Sequence, residues 1–229
     1  MAEHLFVIGP QRTGTTWIYQ LLARQVDGLQ LNRIEKESYF FAREKKLSAE
    51  KSRSKFLSSM SGESEPKIYA DVCSTYFGHL DAVKRILKLF PDAKFVFVKR
   101  DEATRKKSFA EHRKFNQLAS WIIGYNISWA LYERQSKYDN FVTEIKTLVP
   151  EERLLELNFN DLKESNGKAW AQALDGFLDF HIQIITIGHV NKSRANSSFM
   201  KRLFYLGVRL IQATRIHVAV KHLKHWVAR

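Results

Sequence analysis

Residues 4–22 read HLFVIGPQRTGTTWIYQLL, and the reading of this stretch decides the fold. Residues 4–8 have the composition of a buried strand, Gly9 and Gly14 follow with four residues between them, and the remainder has helical spacing. Strand, glycine-bounded loop and helix in that order make a phosphate-binding loop, because backbone N–H groups at a helix start face an anion. A loop for nucleoside triphosphates ends Gly-Lys-Ser/Thr, so that the lysine reaches the β- and γ-phosphates. Here Gly14 is followed by Thr15 and Thr16, and the cation inside the loop is Arg12. The loop therefore suits a 5′-phosphate end other than a triphosphate.

Working outward, candidate strands recur at 29–32, 67–72, 94–99 and 153–158. Helix-patterned runs lie at 15–24, 81–90, 103–113, 120–138 and 140–149. A polar, Ser/Lys/Glu-rich stretch over 43–66 reads as a helix with a loop. Strands alternating with helices predict a single α/β domain over 1–229, with a mainly parallel central sheet and helices on both faces. In such sheets ligands bind beyond the carboxyl ends of the strands, where the glycine loop sits.

At 229 residues and 45% apolar, the chain can bury one sizeable core. Cys73 is its single cysteine, so neither an internal disulfide nor a cysteine-based zinc site is expected, and no metal is assigned. The first residues carry no signal-like apolar run, and no window approaches the ~18 apolar residues of a spanning helix, so a soluble, cytoplasmic protein is expected. The net charge is +13, and the last 50 residues hold nine Lys or Arg and no acid. That balance favours anionic partners. Residues 199–229 read as a basic helical extension, either packed on the domain or lying peripherally on an anionic membrane.

A second basic segment, KFVFVKRDEATRKKSF at 94–109, is a strand ending in Arg100 and a helix carrying Ser108. An arginine at the end of a parallel strand can clamp an anion with its planar fork, and Ser108 two turns on can donate to the same group.

Together, PQRTGTTW and the Arg100-x7-Ser108 pair resemble the two cofactor segments of the sulfotransferases that use 3′-phosphoadenosine 5′-phosphosulfate (PAPS). Further segments follow in the family's order. EKESYFF, YADVCSTYF, ERLLELNFNDLKES with LDGFLDF, and HVNKS are similar to landmarks of the glycan, heparan-type branch. The resemblance implies a P-loop-like sulfotransferase fold, PAPS as cofactor with adenosine 3′,5′-bisphosphate as product, and no metal. It implies that Arg12, Thr13, Gly14, Thr15 and Thr16 wrap the 5′-phosphosulfate, that Arg100 and Ser108 hold the 3′-phosphate, and that Asn191, Lys192, Ser193 and Arg194 fold over the phosphates. Trp17 is open between lying against the adenine and packing in the core.

The same likeness implies that Glu37 is the general base, with Lys36 paired to it or contacting the sulfate, and that Asp71, Ser74 and Tyr76 line the acceptor site. Arg12 and the loop N–H groups would offset charge growing on the leaving phosphate. His79 and His112 are the alternative bases. The sequence departs from the family at Asp101 and Glu102, where Asn-Pro is usual and which are expected to point away, and at Asn160, where the landmark has Glu. The acceptor expected is a glycan, a lipid-linked molecule or a small molecule, and no nucleic acid is expected. Two rival classes share parts of this pattern: a small-molecule kinase, which would need the missing lysine and an acidic magnesium ligand, and a non-catalytic basic nucleotide-binding or nucleic-acid-binding module.

Overall fold

A computed structural model of the chain describes residues 2–25, 28–31, 36–42, 48–60, 66–123, 129–178 and 180–183, with the side chains of 113–123 and 129 left out. The chain divides into two compact units, one of residues 1–109 and 128–190 and the other of 110–127 and 191–229. The first holds the sheet. Five parallel strands, β1 (Glu3–Gly9), β2 (Leu29–Leu31), β3 (Ile68–Val72), β4 (Lys94–Lys99) and β5 (Leu154–Asn158), lie in the order β2-β3-β1-β4-β5.

Alternation along the central strands sorts the core into two chemically different layers. Leu5 and Val7 of β1, Val96 and Val98 of β4, and Ile68, Ala70 and Val72 of β3 present an aliphatic sheet face to a layer closed by α1 (Thr15–Leu22), α7 (Phe159–Glu164) and α8 (Lys168–Phe177), to which the helices add Trp17 and Trp170. Phe6 and Ile8 of β1 and Phe95 and Phe97 of β4 face an aromatic layer. That layer is covered by α2 (Ala49–Ser59), α3 (Leu80–Leu89) and α6 (Tyr138–Lys146), through Phe56, Ile86 and Phe141. Period-2 alternation makes both faces apolar, as parallel sheets covered on both sides require. In the polar 43–66 stretch, α2 forms with Ser48 as its cap, its side chain accepting from the Lys51 N–H at 3.3 Å.

The sequence-predicted helix over 103–113 runs on as α4 (Glu102–Ile123), and the run predicted over 120–138 is divided between the end of α4, α5 (Trp129–Ser136) and the start of α6. Residues 191–194 and 199–229 lie outside the described residues. Among the described residues no helix is long and apolar enough to cross a membrane, and no group of three or more His, Cys, Asp or Glu could hold a metal.

The strand order sets where a ligand can enter. From β1 the chain crosses to β2 on one side, and from β4 it crosses to β5 on the other. The connections diverge between these neighbours, which opens a crevice at their carboxyl ends. The loops after β1 and β4 carry Arg12 and Arg100.

Candidate active site

The glycine loop leaves β1 through Gly9, whose φ of +106° is accessible to glycine and costly for other residues. A Cβ there would also stand 2.6 Å from the Ser74 carbonyl oxygen, so glycine lets the end of β1 lie directly on the segment after β3. Arg12 takes a left-handed φ of +65°, and Gly14, at +96°, is the residue from which α1 starts. The buried Thr13 hydroxyl donates to the Pro10 carbonyl at 2.6 Å, which fastens the loop to itself. Thr15 is also buried and Thr16 half-buried. At the start of α1, as at any helix start, the first N–H groups lack intrahelical partners.

The basic segment lies directly against this loop. Arg12 Nε donates to Ser108 Oγ at 3.1 Å, and Arg100 Nη1 donates to the Arg12 carbonyl at 2.6 Å. The Arg100 guanidinium lies over the Phe159 ring, 4.0 Å from its centroid. Burial and the neighbouring cations Arg12 and Arg105 push the Arg100 pKa down, against a smaller opposing pull from Asp101. Positive charge is thus crowded at this point.

The two carboxylates beside it are engaged elsewhere. Asp101 accepts the Thr104 N–H at 2.9 Å at the start of α4, while Glu102 pairs with buried Arg105 at 3.2 Å and accepts from the Tyr132 hydroxyl at 2.5 Å.

Trp17 belongs to the core. It is 6% exposed, meets Trp170 edge to face with ring centroids 5.9 Å apart, and packs on Gly167. Of its two readings the structure favours packing, because the helical spacing that follows the loop turns its ring onto the sheet.

The residues implied for the acceptor site gather in two hydrogen-bonded sets that meet at the consecutive residues Glu37 and Ser38. Glu37, at φ +73°, is anchored by its N–H to the Val72 carbonyl at the end of β3 at 2.9 Å. Glu37 Oε1 accepts from Lys36 Nζ at 2.5 Å and from Ser74 Oγ at 2.7 Å. Its other oxygen, Oε2, is buried and has no hydrogen-bond partner among the described residues. Of the two readings for Lys36, the pairing with Glu37 is the one present. Asp71 Oδ2 accepts from Ser38 Oγ at 2.8 Å and from the Tyr76 hydroxyl at 2.9 Å.

Asp71, Ser74 and Tyr76 are 1%, 2% and 0% exposed. Sequence reading turns these three toward an acceptor; in the structure they form a buried scaffold beneath the loop that carries Glu37. The physical reason is strand alternation, which points Asp71 into the aromatic layer, where its partners are hydroxyls. Burial raises the Asp71 pKa to about 6, with Ser38 and Tyr76 opposing and Glu37 adding to the rise.

Sequence reasoning misses three contributors: Ser38, Phe159 and Gln135. Ser38 adjoins Glu37, and Phe159 opens the FNDL segment singled out in the sequence, so both had a signal. Gln135 had none, for α5 reads WALYERQS without distinction. Of the alternative bases, His79 stands at the start of α3 against the Arg134 guanidinium, and burial, with Arg134 and Arg85, lowers its pKa. His112 lies on α4.

A sequence model described as the sulfotransferase family matches residues 44–181, more than half of the chain. The chain belongs to the sulfotransferase family. Solved sulfotransferases share its fold. The enzyme from Alicyclobacillus acidocaldarius is similar at 15% identity and a TM-score of 0.66, over 95% of this chain and 96% of that one. The sulfotransferase domain from the curacin biosynthetic pathway is similar at 14% identity and 0.57, over 80% and 76%. That of the Synechococcus PCC 7002 olefin synthase is similar at 15% and 0.51, over 79% and 74%. No curated protein matches the chain by sequence. Family membership decides between the sulfotransferase and kinase readings of the lysine-free loop in favour of the first.

Proposed function

We propose that this sulfotransferase moves a sulfuryl group from PAPS onto a hydroxyl or amine, with Glu37 as general base. The observation that carries the reading is the meeting of Arg12, Arg100 and Ser108 at the carboxyl ends of β1 and β4. The donor set fits a doubly phosphorylated nucleotide: two guanidinium groups and a hydroxyl, with Asp101 and Glu102 occupied by partners of their own. Burial first, and then the charges of Arg12 and Arg105, disfavour the Arg100 cation, and a phosphate bound beside it would favour that cation.

PAPS, when bound, supplies the sulfuryl group on a phosphate leaving group. Arg100 and Ser108 hold the 3′-phosphate; Arg12 and the N–H groups of Thr13, Gly14, Thr15 and Thr16 hold the 5′ end and stabilise negative charge there. Thr13 keeps the loop in shape through Pro10. Lys36 and Ser74 hold Glu37 through Oε1 and so orient the carboxylate that takes the acceptor proton. Asn191, Lys192, Ser193 and Arg194 are assigned to the phosphates through the family resemblance. The acceptor is a glycan, a lipid-linked molecule or a small molecule.

The test is thermal and chemical. Adenosine 3′,5′-bisphosphate at 100 times its Kd should stabilise the protein by about 2.7 kcal/mol, and ATP at the same concentration by far less. Sulfate-labelled PAPS should then label members of a panel of glycans, lipids and phenols. Equal thermal shifts with ATP and the bisphosphate would overturn the cofactor assignment.

A further inference from the structure

Gln135 on α5 is 0% exposed, and every part of its amide is bonded to main chain. Its Oε1 accepts the N–H of Gln11, the residue before Arg12, at 3.0 Å. Its Nε2 donates to the Ser74 carbonyl at 2.7 Å and to the Phe77 carbonyl at 3.4 Å. A buried side-chain amide is costly unless bonded in this way, and an apolar residue of the same volume would need none of these partners.

The connection extends in both directions. Gln11 and Arg12 are consecutive in the glycine loop, and Ser74, whose carbonyl takes the Gln135 donor, gives its own hydroxyl to Glu37 Oε1 at 2.7 Å. Gly9 brings the same Ser74 carbonyl against the end of β1. Main-chain bonds from the Cys73 and Phe77 N–H groups to the Val7 and Ile8 carbonyls, both 2.9 Å, tie the end of β1 to the segment that fixes Glu37, and the Gln135 amide extends that tie to the loop that carries Arg12. We infer that Gln135 is a positioning residue that couples the phosphate-binding loop to the carboxylate-bearing acceptor side. The inference rests on the sulfotransferase reading of the two segments. Without Gln135, the Gln11 N–H and the Ser74 carbonyl would have to find other partners, and the loop would lose its fixed register against Glu37.

Two variants of the full chain test this, with calorimetric titration of adenosine 3′,5′-bisphosphate as the readout. Gln135→Met keeps length and volume and removes all three bonds. It should bind the bisphosphate roughly tenfold more weakly although it touches no ligand, because the loop that carries Arg12 is no longer held in its binding geometry before the ligand arrives.

Gln135→Glu is the titratable counterpart. As a neutral acid it accepts from Gln11 and donates to Ser74, whereas ionised it faces two carbonyls. Its affinity relative to wild type, measured at each pH so that the ligand's own titration cancels, should be near one in mild acid and fall roughly tenfold in mild alkali. This variant also serves if Gln135→Met does not fold. A wild-type protein that does not bind the bisphosphate overturns the cofactor reading, and the inference with it. A wild type that binds, alongside a folded Gln135→Met of equal affinity or a Gln135→Glu ratio that does not change with pH, overturns the coupling alone. A fall in melting temperature with unchanged affinity assigns Gln135 to stability and overturns it too.

Discussion

Asp71→Asn should expose an acid lability that wild type conceals. Asp71 is buried and has a native pKa of about 6 against an ordinary value of 3.8, from burial first and the nearby Glu37 charge last. Its native form holds a proton more tightly than the unfolded chain does. Its charge therefore costs stability as pH rises through 4 to 6, and the cost is fully present above 6. His4 has the opposite sense. Stacked on Phe90 and Tyr69 at 4.1 and 5.6 Å, it falls from 6.5 to about 4, through burial and then the Arg53 charge, so its stability is lost as pH falls from 6.5 to 4.

At 1.36 kcal/mol per unit, each shift of a little over two units corresponds to about 3 kcal/mol, and between pH 6 and 4 the two nearly cancel. Asn keeps an oxygen for the Ser38 and Tyr76 hydroxyls and removes the proton. Urea unfolding followed by circular dichroism from pH 4 to 7.5 gives the readout, as the difference between variant and wild type at each pH. That difference should move by about 3 kcal/mol against the variant on acidification. Because other carboxylates contribute equally to both proteins, they drop out. His4→Phe should give a difference of opposite slope. Parallel curves for Asp71→Asn and wild type would refute the account of Asp71.

Arg100→Ala should weaken calorimetric binding of adenosine 3′,5′-bisphosphate by about 2 kcal/mol or more, because a charge-assisted contact is lost together with the hold on the Arg12 carbonyl. Its transfer rate at saturating PAPS should change much less, since the 3′-phosphate is held equally in ground and transition states. Glu37→Gln keeps an oxygen for Lys36 and Ser74 yet removes basicity. It should cut transfer ~10² to 10⁴-fold with melting temperature and bisphosphate affinity preserved, and a His79→Ala variant that fails while Glu37→Gln turns over normally would move the base to His79.

Much of the sheet was legible because its strands are short, strongly apolar and bounded by breakers. The run predicted at 94–99 is β4 as observed, and 4–8, 67–72 and 153–158 differ from β1, β3 and β5 by one residue at an end or two. The helices after β4 were less so: the runs predicted at 103–113 and 120–138 fall within one helix, α4, and then beyond it, and the glycine that follows Ile123 at the end of α4 lies inside the second run. The loop, Arg100 and Ser108 were readable as motifs, and the structure brings them together. The fate of Asp71 was not readable, because a polar residue on a strand declares its face only when the opposite layer is known, and Tyr76, in the turn after β3, follows it as a partner. Gln135 was hidden for a related reason: its partners are main-chain groups 58 to 124 residues away, and main chain has no sequence signature.

The tryptophan pair has an optical consequence. A Cβ on Gly14 would stand 2.9 Å from the Trp170 ring, so this indole lies directly under the loop; its Nε1 donates to the Asn158 carbonyl at the end of β5 at 2.8 Å, and Trp17 meets it at 83°. Two rigid chromophores held nearly perpendicular beneath the anion-binding turn give a near-ultraviolet signal that follows the turn itself. A change in the backbone at Gly14 alters the field at the Trp170 ring, and the protein carries its own spectroscopic gauge of what the loop is doing, with no label attached.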